Sequence, residues 1–239
     1  MRTALITGGA ARIGAEISQT LHNNHFNVII HYNESEQSAI SLCEKLNNKR
    51  ANSAQLIQAN LASINELNQL IDTIDKIDLL VNNASVFYAT PLDSCTMNDW
   101  EDIMNINVRA PFIISKGLSN KLIESQGCIV NIADIHAERP LKNYSIYSIS
   151  KSAIKTLTKS LAKELAPNVR VCGISPGSIL WPEKKAELEP QKKQIMLERI
   201  ALKKQGLPTD IAEAVLFLAN SNYITGEVIN IDGGRSLHQ

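Results

Sequence analysis

The sequence lacks an excess of either charge, because 24 lysine and arginine residues balance 24 aspartate and glutamate residues. A chain without net positive charge is not expected to take nucleic acid or an anionic membrane surface as its main partner. The sequence also lacks any apolar run near the ~20 residues that a membrane-spanning helix needs. Its first residues contain no apolar signal-peptide core followed by a cleavage site. These absences predict a soluble, cytoplasmic protein.

Cysteine is scarce and scattered. The four cysteines form no CxxC pair, and no group of histidines accompanies them. We therefore expect neither a metal site nor a disulfide framework, and a reducing compartment is the default. The residues concerned are Cys43, Cys95, Cys128 and Cys172.

What the sequence does contain is a regular alternation of short apolar stretches and helical stretches. This alternation predicts an α/β fold with a doubly wound parallel sheet of about seven strands and helices on both faces. No linker or break in composition divides the 239 residues, so we expect a single domain over residues 1–239. The predicted strands are Thr3–Thr7, Asn27–His31, Ala54–Ala59, Ile77–Val81, Gly127–Ile132, Val169–Ile174 and Val228–Ile231.

The predicted helices leave one region without a firm assignment. Residues 181–206 are charged, contain two prolines and show no strand pattern. This region is too long for an idle connection, so we predict a lid over a site, with Trp181 and Leu188 as candidate substrate contacts. The predicted helices are Ala15–Asn23, Ser35–Lys49, one from Ser63, one long stretch over Met97–Glu124, one that carries Tyr147 and stops before Pro167, and Thr209–Ala219.

A glycine-rich turn follows the first strand and contains Gly8, Arg12 and Gly14. Such a turn lets backbone N–H groups approach a phosphate at the N-terminus of the next helix, which favours negative charge. Tight strand-to-helix turns also need glycine without any ligand. The place of this turn at the start of a doubly wound pattern favours a dinucleotide.

The end of the second strand bears on the choice of dinucleotide. An NAD enzyme of this architecture usually places an acid there to bind the ribose 2′-hydroxyl. The residues present are His31, Tyr32 and Asn33, and Arg12 faces the same predicted pocket, where it can take a 2′-phosphate bidentately. We therefore predict NADPH, although Glu34 argues in the other direction.

Tyr147 and Lys151 form the strongest candidate for chemistry. They are four residues apart, so on a helix both side chains project from one face. An ammonium within reach of a phenol lowers the phenol pKa, and such a tyrosine can pass a proton near neutral pH. The same spacing also occurs on an ordinary solvated helix face, and Lys155 continues this one.

In order and spacing, the motifs resemble the short-chain dehydrogenase/reductase family over essentially the whole chain. The resemblance implies a Rossmann-type domain, NAD(P)(H), hydride transfer to or from a carbonyl or imine-like carbon, and a homotetramer. The motifs are the glycine turn, Asn82-Asn83-Ala84, Asn107, Tyr147-x-x-x-Lys151, Ser175-Pro176-Gly177, Ile224-Thr225-Gly226 and Asp232-Gly233-Gly234.

Three departures from the family pattern narrow the resemblance. Arg12 stands where glycine is usual, Asp134 stands where the catalytic serine is usual, and Asn60 replaces an aspartate near the adenine. The first two together are similar to the pteridine reductases of the family. A carboxylate suits the protonation of a ring nitrogen, whereas a serine suits the polarisation of a carbonyl oxygen.

The resemblance assigns expected roles. Lys151 binds the nicotinamide ribose and tunes Tyr147, Asp134 has its pKa raised by desolvation and passes protons, and Asn107 holds a water. The catalytic set is Asp134, Tyr147, Lys151 and Asn107, and the substrate-binding set is Arg12, Ser85, Phe87, Asp134 and Tyr147. The cofactor-binding set is Gly8, Arg12, Ile13, Gly14, His31, Tyr32, Asn33, Ser35, Asn60, Leu61, Asn83, Ala84, Ser85, Tyr147, Lys151, Pro176, Gly177 and Ser178.

The predicted function is NADPH-dependent reduction of dihydropterins of the dihydrobiopterin or dihydromonapterin type, with dihydrofolate as a further candidate. A flat pterin can stack on Phe87, which is otherwise an ordinary core aromatic. Two alternatives stay open: a ketone reductase of the same family acting on 3-oxoacyl thioesters or sugars, and a non-catalytic nucleotide-binding regulator. Asp134 itself has a simpler interpretation as a helix-entry residue.

Overall fold

The computed structural model describes residues 1–181 and 189–237. A single parallel sheet of seven strands runs through the molecule in the order β3-β2-β1-β4-β5-β6-β7, which confirms the predicted sheet. The strands are β1 (Thr3–Ile6), β2 (Asn27–Tyr32), β3 (Ala54–Gln58), β4 (Leu79–Asn82), β5 (Cys128–Ile132), β6 (Arg170–Pro176) and β7 (Val228–Ile231).

Successive side chains of a strand point to opposite faces of the sheet, so a strand that is apolar throughout needs cover on both faces. Helices provide this cover on each face. Ala4 and Ile6 of β1 join one buried apolar cluster, and Leu5 joins the other. The helices are α1 (Arg12–Asn23), α2 (Glu36–Lys49), α3 (Ile64–Asp72), α4 (Met97–Met104), α5 (Ala110–Gly117), α6 (Ser119–Glu124), α7 (Ser145–Glu164), α8 (Pro190–Glu198) and α9 (Pro208–Asn220).

The predicted long helix over Met97–Glu124 is divided. A π-helical turn at Asn105–Arg109 separates α4 from α5, and a further break precedes α6. Pro111 lies in the first turn of α5 and has no N–H to donate to a carbonyl one turn earlier. The α-helical hydrogen-bond ladder is therefore interrupted at this point, where π-bulges arise.

The predicted lid region contains a helix rather than an irregular loop, since α8 spans Pro190–Glu198. No strand lies in its described part, residue 181 and residues 189–206. Residues 182–188, including Leu188, fall outside the described residues, as do His238 and Gln239. The lid role stays a prediction.

The sheet order places a crevice at the carboxyl ends of β1 and β4. The chain builds β1, β2 and β3 outward on one side and then returns to place β4 on the other side of β1. Open α/β sheets bind ligands at such a switch point. Within the described ranges, no helix is both long enough and apolar enough to cross a membrane.

Candidate active site

The glycine turn after β1 is shaped by steric need. Gly8 has φ +62°, in the left-handed region that favours glycine. A Cβ on Gly14 would collide with the carbonyl oxygen of Gly8, so the start of α1 packs directly on the turn. The backbone N–H groups at this helix start form a site suited to a phosphate.

Arg12 adopts a backbone conformation that is usual only for glycine. It has φ +54°, so a non-glycine residue occupies the left-handed region at the first position of α1. This conformation costs a residue with a Cβ ~1–2 kcal/mol relative to right-handed backbone. A strained residue of this kind persists where the surrounding structure or a function holds it.

A cavity of about 680 Å³ opens above the turn. It is lined by thirteen of the predicted cofactor residues: Gly8, Arg12, Ile13, Gly14, His31, Tyr32, Asn33, Ser35, Asn60, Leu61, Asn83, Ala84 and Ser85. Six further residues that the sequence did not predict also line the cavity: Ala10, Ala11, Ala62, Val86, Asp102 and Ile106. Glu34, the residue that argues against NADPH, lines it as well.

The remaining predicted cofactor residues lie elsewhere along the carboxyl edge. Pro176 ends β6, and the N–H of Gly177 donates to the carbonyl of Ile231 at 3.0 Å. A Cβ on Gly177 would lie 2.7 Å from Asp232, so glycine permits this close approach. Ser178 lines a second cavity of about 600 Å³, beside the carboxyl ends of β6 and β7.

His31 is buried beneath the glycine turn and is hydrogen-bonded to it, so its side chain is not exposed at the end of β2. It is 2% exposed, and its Nδ1 accepts from the N–H of Gly8 at 3.0 Å. Its Nε2 then carries the proton and donates to the carbonyl of Ala59 at 3.0 Å. Burial lowers the pKa of His31, so the ring is held neutral.

Asn83 fastens the end of β4 to the end of β1. Its Nδ2 donates to the carbonyls of Thr7 at 2.9 Å and Gly8 at 3.2 Å, and its N–H donates to Thr7 Oγ1 at 2.9 Å. The N–H of Ala84 also donates to Thr7 Oγ1, at 3.0 Å. The asparagine-rich motif therefore holds the two edges of the crevice together.

Asp134 and Tyr147 meet at the carboxyl end of β5. Tyr147 Oη donates to Asp134 Oδ2 at 2.8 Å. Asp134 Oδ1 accepts from the N–H of His136 at 2.8 Å and so caps the 3₁₀ turn Ile135–Ala137. One oxygen of Asp134 therefore caps the turn and the other accepts the hydrogen bond of Tyr147, and its catalytic role stays a prediction.

Lys151 is buried beside this pair. Its Nζ donates to the carbonyl of Ile132 at 3.0 Å and lies 5.7 Å from the centre of the Tyr147 ring. Desolvation lowers the pKa of Lys151 to about 8, against the opposing pull of Asp134.

The pKa of Tyr147 is raised well above its ordinary value, first by burial and then by the charge and hydrogen bond of Asp134. The prediction that Lys151 lowers this pKa is wrong for the protein alone. Burial of the phenol, followed by the neighbouring carboxylate of Asp134, sets the direction of the shift.

Asn107 lies in the π-helical turn, and its side chain organises the site. Its Oδ1 accepts from the N–H of Val86 at 2.8 Å, and its Nδ2 donates to the carbonyl of Val86 at 3.1 Å. The same Nδ2 donates to Ser150 Oγ at 3.1 Å, and Ser150 Oγ donates to the carbonyl of Tyr147 at 2.7 Å. The predicted water on Asn107 stays a prediction.

Phe87 is 48% exposed, so it is not an ordinary core aromatic. Its ring stacks on Tyr144 at 4.6 Å between centroids and meets Tyr147 edge to face at 4.7 Å. Ser85 is exposed nearby in sequence. Phe87 therefore presents an aromatic surface directly beside the tyrosine.

A further pair beside this loop was missed by the sequence interpretation. Tyr88 Oη donates to Asp102 Oδ2 at 3.0 Å, and burial with this contact raises the pKa of Tyr88 to about 12. The pair ties the segment after Phe87 to α4. No short motif links two residues fourteen positions apart, so sequence spacing gave no signal.

A family model described as enoyl-(acyl carrier protein) reductase matches residues 8–236. The chain belongs to the short-chain dehydrogenase/reductase family. Its members are oxidoreductases that use NAD(P)H. The cavity and the Tyr147–Lys151 pair therefore belong to a protein of an oxidoreductase family.

Relatives within the family bear different names. Pteridine reductase 1 of Leishmania tarentolae is 31% identical, with 98% of this chain and 96% of that protein covered. A 3-oxoacyl-(acyl-carrier-protein) reductase of Aquifex aeolicus is 34% identical, with 98% and 96% covered. An uncharacterized oxidoreductase of Bacillus subtilis is 31% identical, with 98% of both chains covered. Because these identities are similar, they do not identify the substrate, which must be inferred from the residues of the site.

Proposed function

We propose that this short-chain dehydrogenase/reductase reduces dihydropterins to tetrahydropterins with NADPH. The observation that carries the proposal is the hydrogen bond from Tyr147 to Asp134 Oδ2 at 2.8 Å. It provides a protonated phenol and a carboxylate where the family usually has a serine. A phenol that donates a proton, with a carboxylate beside it that can relay one from solvent, suits protonation of a ring nitrogen.

The residues around the cavity fit a phosphorylated dinucleotide. Gly8 and Gly14 allow close approach of a phosphate, and the start of α1 favours its charge. Arg12 lines the same cavity, and a guanidinium binds a 2′-phosphate bidentately. The strained backbone of Arg12 supports a functional need for its side chain. When bound, NADPH supplies the hydride.

In the proposed reaction, the protein donates one proton to the substrate. Hydride addition to the carbon of a C=N bond leaves the neighbouring nitrogen to accept a proton, which completes the reduction. Tyr147 keeps its proton near neutral pH, because burial and Asp134 raise its pKa. Asp134 is in contact with the phenol, so after the transfer its carboxylate can take a proton from solvent and pass it to the phenolate. Lys151, buried below, orients the ribose and carries positive charge toward Asp134.

Phe87 supports a flat substrate. Its ring is half exposed and meets Tyr147 edge to face, so a planar ring placed against it lies beside the phenol. Stacking of this kind contributes about 0.5–1.5 kcal/mol beyond the area buried. Tyr144 already stacks on Phe87, which extends the aromatic surface.

The test is NADPH oxidation by the purified protein with 7,8-dihydropterins and an acetoacetyl thioester offered in parallel. We expect turnover of the dihydropterins and little of the thioester. Turnover of the thioester alone would place the protein with the ketone reductases. Cofactor binding without turnover of either substrate would indicate a regulator.

The second candidate function is reduction of a 3-oxoacyl thioester. It is supported by the 34% identical relative of Aquifex aeolicus, whose name states that activity. Asp134 is the residue against it, because a carboxylate repels the negative charge that develops on a carbonyl oxygen. An Asp134→Ser variant that gains thioester reduction and loses dihydropterin reduction would assign the preference to this one residue.

We also propose a homotetramer in the cytoplasm. Large apolar side chains are exposed on α5 and α7, where Phe112 is 47% and Ile149 is 48% exposed, and on α9, where Phe217 is 56% exposed. Exposed apolar surface of this kind favours association. All four cysteines are free, which suits a reducing compartment. Sedimentation of the purified protein tests the assembly, and a monomer would refute it.

A further inference from the structure

The turn that Asp134 begins is a compact unit. The N–H of Ala137 donates to the carbonyl of Asp134 at 3.1 Å, and the N–H of Glu138 donates to the carbonyl of Ile135 at 3.2 Å. Asp134 Oδ1 also accepts from the N–H of His136 at 2.8 Å. Asp134 is therefore bonded through both its backbone and its side chain within this turn, and a displacement of Ala137 also displaces its carboxylate.

The helix that carries Tyr147 is attached to this turn at a second point. Ser152, on α7, has its Oγ 2.6 Å from the carbonyl oxygen of Ala137 and 3.0 Å from that of Ser148. A hydroxyl has one proton to donate, and the shorter distance favours Ala137. The bond to Ala137 crosses from the helix to the turn, whereas a bond to Ser148 stays within the helix. Ser152 therefore joins α7 to the turn.

Two hydrogen bonds thus link the same turn to the same helix. Tyr147 Oη donates to Asp134 Oδ2 at 2.8 Å, and Ser152 Oγ donates to the carbonyl of Ala137. Tyr147 and Ser152 are five residues apart on α7, which is about 7.5 Å along a helix axis. A turn that is held at two separated points resists rotation about either one, so the second bond helps to fix the geometry of the first.

An ion pair also crosses between the turn and the helix, but it is a weaker attachment. Lys155 Nζ lies 2.5 Å from Glu138 Oε1, and the side chain of Glu138 is 62% exposed. Exposed ion pairs are screened by water and salt, and they require two long side chains to be ordered. Ser152 has a short side chain and its bond is partly buried, so less conformational freedom is lost when the bond forms. We therefore expect the hydroxyl to hold the turn more firmly than the ion pair does.

We propose that Ser152 is a positioning residue that keeps the carboxylate of Asp134 at hydrogen-bond distance from Tyr147 Oη. The inference rests on the proposed function, because it concerns the two groups that supply the proton. Ser152 acts on them through Ala137 and the turn. Catalytic rates depend steeply on such distances, since a misplacement of ~1 Å can cost ~10²-fold in rate.

The first test is the steady-state kinetics of Ser152→Ala with a dihydropterin and NADPH. We expect kcat to fall about tenfold and both KM values to change less than about twofold, because the turn is released while the cavity and Phe87 keep their places. Ser152→Thr keeps the hydroxyl and should recover most of the loss. Ser148→Ala is the matched control: Ser148 is buried on the same helix, and within residues 1–181 and 189–237 its Oγ has no hydrogen-bond partner.

The second test measures the contact between Asp134 and Tyr147 without catalysis. Ultraviolet titration of each protein is repeated on a form that also carries Tyr147→Phe, and the difference separates Tyr147 from the other tyrosines. The charge and the hydrogen bond of Asp134 are two of the causes that raise the pKa of Tyr147. Tyr147 should therefore ionise at a lower pH in Ser152→Ala than in the wild type or in Ser148→Ala.

The outcomes separate the two proposals. Unchanged kcat and an unchanged Tyr147 titration in Ser152→Ala would overturn the positioning role while leaving dihydropterin reduction intact, and so would an equal effect in Ser148→Ala. If Ser152→Ala folds poorly, Ser152→Cys gives the same information, because it keeps the size of the side chain but has only a weak donor. Failure of the wild type to reduce any dihydropterin would overturn the proposed function, whereas the titration would still decide whether Ser152 sets the contact.

Discussion

Around β1 and β4 the cleft is shaped by backbone, whereas around β5 and α7 it is shaped by charged and aromatic side chains. Gly8, Gly14 and Asn83 fix the first region through steric limits and amide hydrogen bonds. Asp134 and Tyr147 fix the second through one contact between residues thirteen positions apart. The first region suits the NAD(P)H that members of the family use, and the second holds the groups on which the proposed reaction depends.

If the two regions are separable, a change in the second should abolish turnover without touching cofactor affinity. Tyr147→Phe removes the proton donor and should lower kcat for dihydropterins by ~10²–10⁴-fold. NADPH affinity, measured by fluorescence titration, should change little. Tyr144→Phe is the matched control because it keeps the ring that stacks on Phe87. A large loss of NADPH affinity in Tyr147→Phe would show that the regions are coupled.

A smaller effect is expected when only the charge beside the tyrosine is removed. Asp134→Asn keeps an acceptor for His136 but should lower kcat by ~10–100-fold. The pKa of Tyr147 should fall, because the Asp134 charge is one of the causes that raise it. An ultraviolet difference titration measures that pKa, and Glu138→Gln removes a neighbouring exposed carboxylate as the control. Full activity in Asp134→Asn would remove the basis for its acid role.

The reverse experiment changes the first region. Arg12→Gly should weaken NADPH binding about tenfold and leave NADH binding nearly unchanged, because only NADPH has the 2′-phosphate. The free energy of unfolding should rise by up to about 1 kcal/mol, because glycine relieves the left-handed strain at φ +54°. Calorimetry and cofactor titration measure the two effects. Equal loss for both cofactors would contradict the assignment of Arg12 to the phosphate.

The smallest effect concerns His31 and is a pH dependence of stability. Its folded pKa lies below the ordinary 6.5, so as pH falls below that value the unfolded chain takes up the proton first. Stability should then decrease toward acid pH, by at most ~1.4 kcal/mol per pH unit for this one group. Denaturant unfolding at several pH values should show a flatter profile in His31→Asn.

His22 has its pKa lowered in the same direction, so the comparison must be made between variants. His25→Asn is the matched control, since His25 is exposed and its left-handed backbone, φ +65°, accepts asparagine. A profile that flattens equally in both variants would show that His31 does not carry the effect.

The same division explains what the sequence could predict. Strand alternation and the glycine turn depend on local patterns, so the sheet and most of the cavity lining were predicted. The supporting role of His31 and the Tyr88–Asp102 contact depend on partners more than ten residues away along the chain. The pKa of Tyr147 was predicted in the wrong direction because the burial of the phenol is a property of the fold, not of the spacing to Lys151.

The side chain of Asn107 fixes the position of the Phe87 loop relative to Tyr147. Phe87 lies half exposed on a loop, yet the residue before it is bound at both backbone atoms by an amide buried in the helical core. Through Ser150 the same amide reaches the backbone of Tyr147. The spacing between aromatic surface and phenol is therefore set by the rigid interior, and a substrate meets a preformed slot instead of a loop that must first be ordered.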